Sequence, residues 1–409
     1  MAKRQLIGGI DVGTTKICSC IAEAVENQVH ILGTGWVDSR GISKGMITNL
    51  SEAIRCIRTS VEQAEEEAGE VLDSVYASIG GKFLRCLNRV GTTEVRGRQG
   101  QVTGEDVQRA IREAEAGVVT EGAEVLHVLT QGFCLDNQNG IENPLGMSGK
   151  ILTAKVHLVL HASPVVKNLI NAVQQANLAV QGVIMQPLAS AEAVLTEDER
   201  ELGAVVIDIG GGTTDLTVYA RNAVWHSQVL PLGGTQVTKD VAFGLHVPLE
   251  DAERLKIEQG SVFPDAVPPE EMLEVAEMGS GRVRRYSRRL LCQIMEARCE
   301  EILTSCLNVL QRTGLQLDLL TGIVLTGGGS LVSGLMEMAQ RIFSLPVRLG
   351  MPLSVHSEQS YVLGPAHATV LGLIRYPLRL RNEDVWRIVR AEAPRARTDR
   401  WKSWLFEKI

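Results

Sequence analysis

The amino-acid sequence predicts an α/β protein built on a duplicated unit, and three stretches predict it. Residues 7–22 (IGGIDVGTTKICSCIA) and 205–220 (VVIDIGGGTTDLTVYA) are near copies. Each reads as an apolar strand, an Asp at the strand end, a Gly/Thr turn and a second strand that returns at once. The third stretch, LTGGGS at 325–330, joins a buried strand to a helix start. Length agrees with two to three domains, since 409 residues with 44% apolar content can bury one large core or two medium ones.

After the first hairpin a strand is expected over 29–37, then a helix with Leu50, Ile54, Ile57 and Val61 on its apolar face, then a strand over 75–79. Residues 84–162 break this rhythm and read as a small inserted domain. There Thr103 is the expected N-cap of a helix, with Asp106 three residues on and Val107 and Ile111 facing inward, and strands are expected over 125–129 and 151–160. His157 and His161 have the spacing of a helical metal pair, but on a strand they stand roughly 13 Å apart, which argues against a metal site. A helix opens at 163, with Ser163 as N-cap, Pro164 in the first helical position, and Val166, Leu169, Ile170 and Val173 on one face. A strand at 183–185 and a crossing at 187–195 lead to the second hairpin. Beyond it come a strand at 229–232, helices at 236–243 and 249–259, and a Pro- and Glu-rich crossing at 263–271. A long helix at 288–311, a strand at 322–325 and an amphipathic helix at 331–343 complete the second half.

Composition narrows the class. No run of eighteen uncharged apolar residues occurs and residues 1–10 lack the apolar stretch of a signal peptide, so neither membrane spanning nor secretion is expected. The eight cysteines are scattered without a CxxC pair, the pattern of reduced thiols. Cys292, Cys299 and Cys306 fall seven apart, which on a helix separates neighbours by roughly 10 Å, so they share a helix face and not a metal. The formal charge of −7 is uneven: residues 375–409 carry ten Lys/Arg against five Asp/Glu, or +5, leaving −12 on the rest. A basic tail on an acidic body suits an anionic surface.

The paired hairpins carry the chemistry. Small residues let backbone N–H groups approach phosphate oxygens, Thr hydroxyls add donors, and an Asp at each strand end can orient a hydrated Mg²⁺. One such hairpin reads equally well as a tight turn; two, facing each other, would clamp a triphosphate. No GxxxxGK[ST] occurs, and GGGTTD runs into a strand where a dinucleotide fingerprint needs a helix, so a P-loop enzyme and a Rossmann dehydrogenase are set aside.

IDVGTTK, IDIGGGTTD and LTGGGS resemble the phosphate-one, phosphate-two and adenosine motifs of the actin, heat-shock chaperone and sugar kinase superfamily, and residues 186–195 and 364–373 resemble its two connecting helices. Within it the chain is similar to the FtsA family through GISKGMI (41–47), GIENPLGMSG (140–149), VLTEDERELG (194–203) and the tail WKSWLFEKI. The resemblance implies an actin-like, duplicated (ribonuclease H-like) two-lobe fold with an inserted small α+β subdomain of the 1C type. Its parts would be subdomain 1A at 1–83, the insert at 84–162, the rest of 1A with the connecting helix at 163–195, and the second lobe (2A/2B) at 196–376. A charged linker at 377–398 and an amphipathic helix at 399–409 would follow.

Carried over by motif, the resemblance implies ATP and Mg²⁺ as cofactors. Asp11 and Asp208 would hold Mg²⁺ through water, Gly13, Thr14, Thr15, Lys16, Gly210, Gly211, Gly212, Thr213 and Thr214 the phosphates, and Gly234 would lie near the terminal phosphate. Glu253 and Lys256 would contact adenosine, although by pattern Lys256 also reads as a surface lysine, and Gly327, Gly328 and Gly329 would pass beside the nucleotide. Gln186 would orient an attacking water; Gln is a poor base, so at most slow hydrolysis is expected.

The tail is a separate signal. Trp401, Trp404, Leu405 and Ile409 fall on one helical face, with Phe406 at its edge and Lys402 and Lys408 beside it. Aromatics flanked by basic residues suit a membrane interface; the alternative is a terminal helix docked on the body. The family resemblance implies further that the chain assembles into actin-like filaments, binds the C-terminal tail of FtsZ through its second lobe, meets other divisome proteins through the insert, and acts at the inner face of the cell membrane at the division septum. Two rivals share the superfamily: a metabolite kinase, and a pilus-assembly ATP-binding protein.

Overall fold

In this computed structural model the described residues are 5–25, 28–118, 122–279, 281–315, 320–353, 355–357 and 363–382. The expected amphipathic helix at 399–409, and the linker beyond 382, lie outside them.

The apolar run before Asp11 forms β1 (Gln5–Val12), which pairs antiparallel with β2 (Lys16–Val25), and β2 pairs with β3 (Gln28–Asp38). A small ribbon, β4 (Ile42–Ser43) with β5 (Met46–Ile47), precedes α1 (Leu50–Ala68). Asn49 caps α1 by accepting from Glu52 N at 3.2 Å, and Gly69 closes it at φ 64°. The face of α1 carrying Ala53, Ile57 and Val61 is buried, and β6 (Ser74–Ile79) then lies parallel to β1.

The insert is a layer of its own. β7 (Arg85–Glu94), α2 (Gly104–Glu115), β8 (Ala123–Leu135), β9 (Gln138–Ile141) and β10 (Ile151–Ala162) form a four-stranded sheet in the order β7-β10-β8-β9, around a core that includes Val107, Ile111, Val128, Leu152 and Val156. Thr103 and Asp106 make a reciprocal capping box: Asp106 N donates to Thr103 Oγ1 at 3.3 Å and Thr103 N donates to Asp106 Oδ2 at 2.8 Å.

The helix after the insert departs from its expected start. Ala162, not Ser163, is the N-cap of α3 (Ser163–Gln175), and no side chain caps it, because the strand runs straight into the helix and Ser163 is already its first residue. β11 (Ala179–Met185) completes the first sheet, and α4 (Gln186–Val194) and α5 (Glu197–Leu202) carry the chain across.

The second half opens with β12 (Ala204–Ile209), β13 (Thr214–Ala220) and β14 (Ala223–Leu230), the last returning through Arg221 and Asn222 at φ 51° and 57°. The strand expected at 229–232 is only the end of β14. Then come α6 (Gly234–Leu245), α7 (Leu249–Glu258) and a hairpin of β15 (Met272–Ala276) with β16 (Val283–Ser287). No apolar run announces that hairpin, since its only buried side chains are Leu273 and Val275. α8 (Arg288–Arg312) buries Cys292, Cys299 and Cys306 on one face. β17 (Ile323–Thr326), α9 (Leu335–Phe343) and β18 (Val347–Leu349) follow; α9 starts later than the amphipathic pattern because Gly334, at φ 82°, breaks it.

The duplication is visible in the topology. β3-β2-β1-β6-β11 and β14-β13-β12-β17-β18 share one order, an antiparallel three-strand meander followed by two parallel strands. The end of the chain corrects the expected boundaries. β19 (Val355–Ser357) pairs with β3, and α10 (Ala368–Asn382) packs on α4 and β1, so this stretch belongs with the first lobe although 196–376 reads as second lobe. α10 also runs through Pro377 into the expected linker. Its register is held at both ends: a Cβ at Gly372 would lie 1.7 Å from Ala189 O on α4, and Arg379 pairs with Glu192 at 2.7 Å.

Candidate functional site: the cleft between the two sheets

Both hairpins point into one cleft. The strand pairing that ends at Val12 and Ile209 aims Asp11 and Asp208 at it from opposite sides, and the glycine turns form its floor. Gly13 N donates to Lys16 O at 3.0 Å and Gly210 N to Thr213 O at 2.9 Å, closing the two turns alike. The turns touch across the cleft: a Cβ at Gly211 would lie 2.3 Å from Thr15 Cγ2, and one at Gly212 would lie 2.5 Å from Thr14 Oγ1. Only glycine allows that approach.

The cleft has a narrow end and a roomy one. The narrow end, about 50 Å³, is lined by Asp11, Gly13, Thr14, Thr15, Lys16, Gln186, Asp208, Gly210 to Thr213, Gly327 and Gly328. The roomy end, about 420 Å³, is lined by Gly234, Glu253, Lys256, Gly329 and the apolar Val237, Ile257, Ile302 and Leu335. Lys16, Gly210, Gly211 and Gly328 line both, so one elongated ligand with an anionic end and a flat apolar end fits the whole.

The carboxylates are held rather than loose. Asp11 Oδ1 accepts from Ser78 Oγ at 2.8 Å and from Gln186 Nε2 at 3.1 Å. Asp208 Oδ2 accepts from Ser190 Oγ and from Thr369 Oγ1. Burial pushes the Asp208 carboxyl up and the Asp11 charge adds to this, while the hydrogen bond from Ser190 opposes it. Burial pushes Asp215 up well beyond the usual carboxylate range, helped by the charges of Asp208 and Asp11, and its Oδ1 has no hydrogen-bond partner. Acidic side chains forced together at the price of raised pKa values fit a cation.

Gln186 lines the narrow end, and its Nε2 donates to Asp11 and to Ser78 Oγ at 3.2 Å, so it also holds Asp11 in place. Thr214 does not line the cleft: it is buried, and its hydroxyl donates to Leu232 O at 2.9 Å. Lys256 is not a free surface lysine; its Nζ donates to Glu253 at 2.7 Å and to Thr238 Oγ1 at 3.0 Å, at the start of α6. The structure adds residues that sequence reasoning missed. Gly45, in GISKGMI, lines the narrow end, and its N donates to Thr14 Oγ1 at 3.4 Å. Trp36 stacks under Lys16 Nζ at 4.2 Å from its ring centre. Asp215 was visible as the last letter of GGGTTD; Ser78, Ser190 and Thr369 had no local signal at all.

Two sheets of one topology, with glycine hairpins opposed across a cleft, are the build of the actin-like ATPases. Solved structures of that fold agree: the PilM–PilN type IV pilus biogenesis complex (17% identity, TM-score 0.66, 92% of this chain and 99% of that one) and MreB5 of Spiroplasma citri bound to ADP (13%, 0.54, 93% and 99%). At these identities they show the fold alone.

The chain belongs to the FtsA family of cell division proteins. The family model described as cell division protein FtsA matches residues 205–372, and that of the SHS2 domain inserted in FTSA matches 81–160. The chain is 37% identical over 380 residues to the cell division protein FtsA of Pseudomonas aeruginosa, covering 93% of this chain and 91% of that one. Against that of Neisseria meningitidis it is 38% identical over 380 residues, covering 92% and 91%.

Proposed function

We propose that the chain binds Mg²⁺–ATP in this cleft, assembles with copies of itself, and ties FtsZ filaments to the inner face of the cell membrane at the division septum. The observation that carries the nucleotide reading is the pair of facing hairpins with Asp11 and Asp208 at their strand ends. Bound Mg²⁺ would supply charge neutralisation for the phosphates. Backbone N–H groups of the turns and the hydroxyls of Thr14, Thr15 and Thr213 would hold the phosphate oxygens, and Asp11 and Asp208 would orient the cation's water. Glu253 and Lys256 would reach the ribose from α7. Gln186 would orient the attacking water but is a poor base, so turnover is slow.

The tether reading rests on family membership and on the sequence of the tail. No helix among the described residues is long and apolar enough to cross a membrane, so the proposed attachment is peripheral, through Trp401, Trp404, Leu405, Phe406 and Ile409 with Lys402 and Lys408. Each basic residue near an anionic leaflet contributes about 1 kcal/mol, and one short helix holds only reversibly. Several tails on one polymer hold far more firmly. For the FtsZ tail, the second lobe offers the exposed apolar side chains of Phe243, Leu249 and Met278; the insert is left to other divisome proteins.

Co-sedimentation with anionic liposomes and ATP tests both links, comparing the full chain with one ending before Trp401, in the presence of a labelled FtsZ tail peptide. The full chain brings the peptide down and the shortened one does not. Lipid binding that survives the truncation refutes the tail assignment; lipid binding without the peptide refutes the FtsZ link.

A further inference from the structure

The two cleft carboxylates are held in different ways, although the two sheets share one topology. In the first lobe the sheet shares the holding with α4: Ser78, next in register on β6, donates to Asp11 Oδ1 at 2.8 Å, and Gln186, at the start of α4, donates to it at 3.1 Å. The matching position in the second lobe is Thr326, which lies opposite Asp208 on β17. Its hydroxyl is turned away, to Gly350 O at 3.0 Å and Pro365 O at 3.3 Å. Asp208 is held from outside its own sheet. Ser190 Oγ, on α4, donates to its Oδ2; Thr369 Oγ1, on α10, donates to the same oxygen at 3.3 Å; and the two hydroxyls are 3.0 Å apart. Ser190 is fully buried and Thr369 nearly so.

α4 and α10 pack on each other; α10 lies on the first sheet, while α4 lies between the two sheets and touches both. The hydroxyls therefore reach across from the helix pair that joins the lobes to the carboxylate of the second lobe. With Oδ2 occupied twice, Oδ1 is left against Gly327, where a Cβ would come within 2.1 Å of it. Asp208 and Thr369 both line the narrow end of the cleft.

We infer that Ser190 and Thr369 are positioning residues for the cation of the cleft: they lock Asp208 through Oδ2 so that Oδ1 is left for the waters of the hydrated Mg²⁺. This rests on the Mg²⁺–nucleotide reading above. Groups that orient a ligand carboxylate without touching the metal control its affinity strongly, because a rotating carboxylate loses the geometry that its water partners need.

The test is binding of a fluorescent ATP analogue to the full chain, titrated with Mg²⁺ and repeated in EDTA. Ser190→Ala combined with Thr369→Val removes both hydroxyls with little change of volume. The Mg²⁺ concentration for half-maximal binding rises about tenfold, in the range seen for outer-shell partners of metal ligands, while binding in EDTA changes less than about twofold. Thr369→Ser, which keeps the hydroxyl, restores the wild-type Mg²⁺ dependence. If the double variant does not fold, Thr369→Val alone shows the same selective rise at smaller size. An unchanged Mg²⁺ midpoint, or an equal loss with and without Mg²⁺, overturns the inference. Failure of the wild-type chain to bind nucleotide at all overturns the proposed function itself, and this inference with it.

Discussion

Two buried histidines outside the cleft lining make the stability of the fold depend on pH in acid. His157 sits fully buried between the insert and the second lobe, with Nδ1 2.6 Å from Asn88 Oδ1 and Nε2 2.7 Å from Ser227 Oγ. Burial, and secondarily the neighbouring His226, lowers its pKa to about 3. His127, equally buried, is lowered to about 3 by burial and by His161, and its Nε2 accepts from Met185 N at 3.1 Å. A folded pKa below the unfolded value of about 6.5 means that the unfolded chain binds more protons in acid. Stability is therefore full above about pH 6.5 and falls by about 1.4 kcal/mol per pH unit for each histidine as pH drops toward 3. His157→Gln removes one of these terms, so the thermal midpoint measured between pH 7 and 5 falls less steeply than in the wild type. Equal slopes would show that His157 stays neutral in neither state or both. At this scale the sequence was a poor guide, since strand alternation showed that the pair His157 and His161 is no helical metal site but said nothing of Asn88 or Ser227.

At the scale of elements, local pattern and close approach divide the work. The capping box of α2 was legible because its partners are three residues apart, and the structure adds the consequence. Burial raises the Asp106 carboxyl, but hydrogen bonds from Thr103, Arg96 and Arg109 win and hold it down to about 2. Thr103→Ala leaves Asp106 without its reciprocal partner and costs about 1 kcal/mol, read as a lower denaturant midpoint with an unchanged slope. A capping residue that carried no stability would leave the midpoint in place. The crossing of α4 and α10 was not legible. Gly372 looks like a poor helix residue in isolation, yet it lies where α10 meets the backbone of α4. The hairpin of β15 and β16 was missed for the opposite reason: its strands bury too little to leave a pattern.

The whole molecule is held at its hinge by charge as well as by packing. Glu192 on α4 is almost fully buried between Arg200 of α5 and Arg379 of α10, each at 2.7 Å. Beside it Arg348, from the second sheet, grips Glu199 at 2.6 Å and donates to Val194 O at 2.8 Å. α4 also carries Gln186 and Ser190 into the cleft, so one helix links the carboxylates at its start to the ion pairs at its end. Replacing Glu192 by Ala strands Arg200 in a buried site, with an expected loss of about 3–5 kcal/mol. Calorimetry of the variant decides this: a thermal midpoint within a degree or two of the wild type would mean that Arg200 finds another partner or water.

The sequence by itself determined that the protein is a duplicated α/β fold with an insert, which glycine turns line the cleft, and where the basic aromatic residues of the tail lie in the chain. Those signals are local: a hairpin, a cap or an amphipathic face is written in residues that are neighbours along the chain. Only the tertiary structure decided that the chain returns to the first lobe after 355, that Lys256 is tied to Glu253, and that Thr214 turns away. It also brought Ser190 and Thr369, 179 residues apart, onto one oxygen of Asp208. A single hydroxyl in a helix has no periodicity to betray it, and its partner is set by how two helices cross between two sheets.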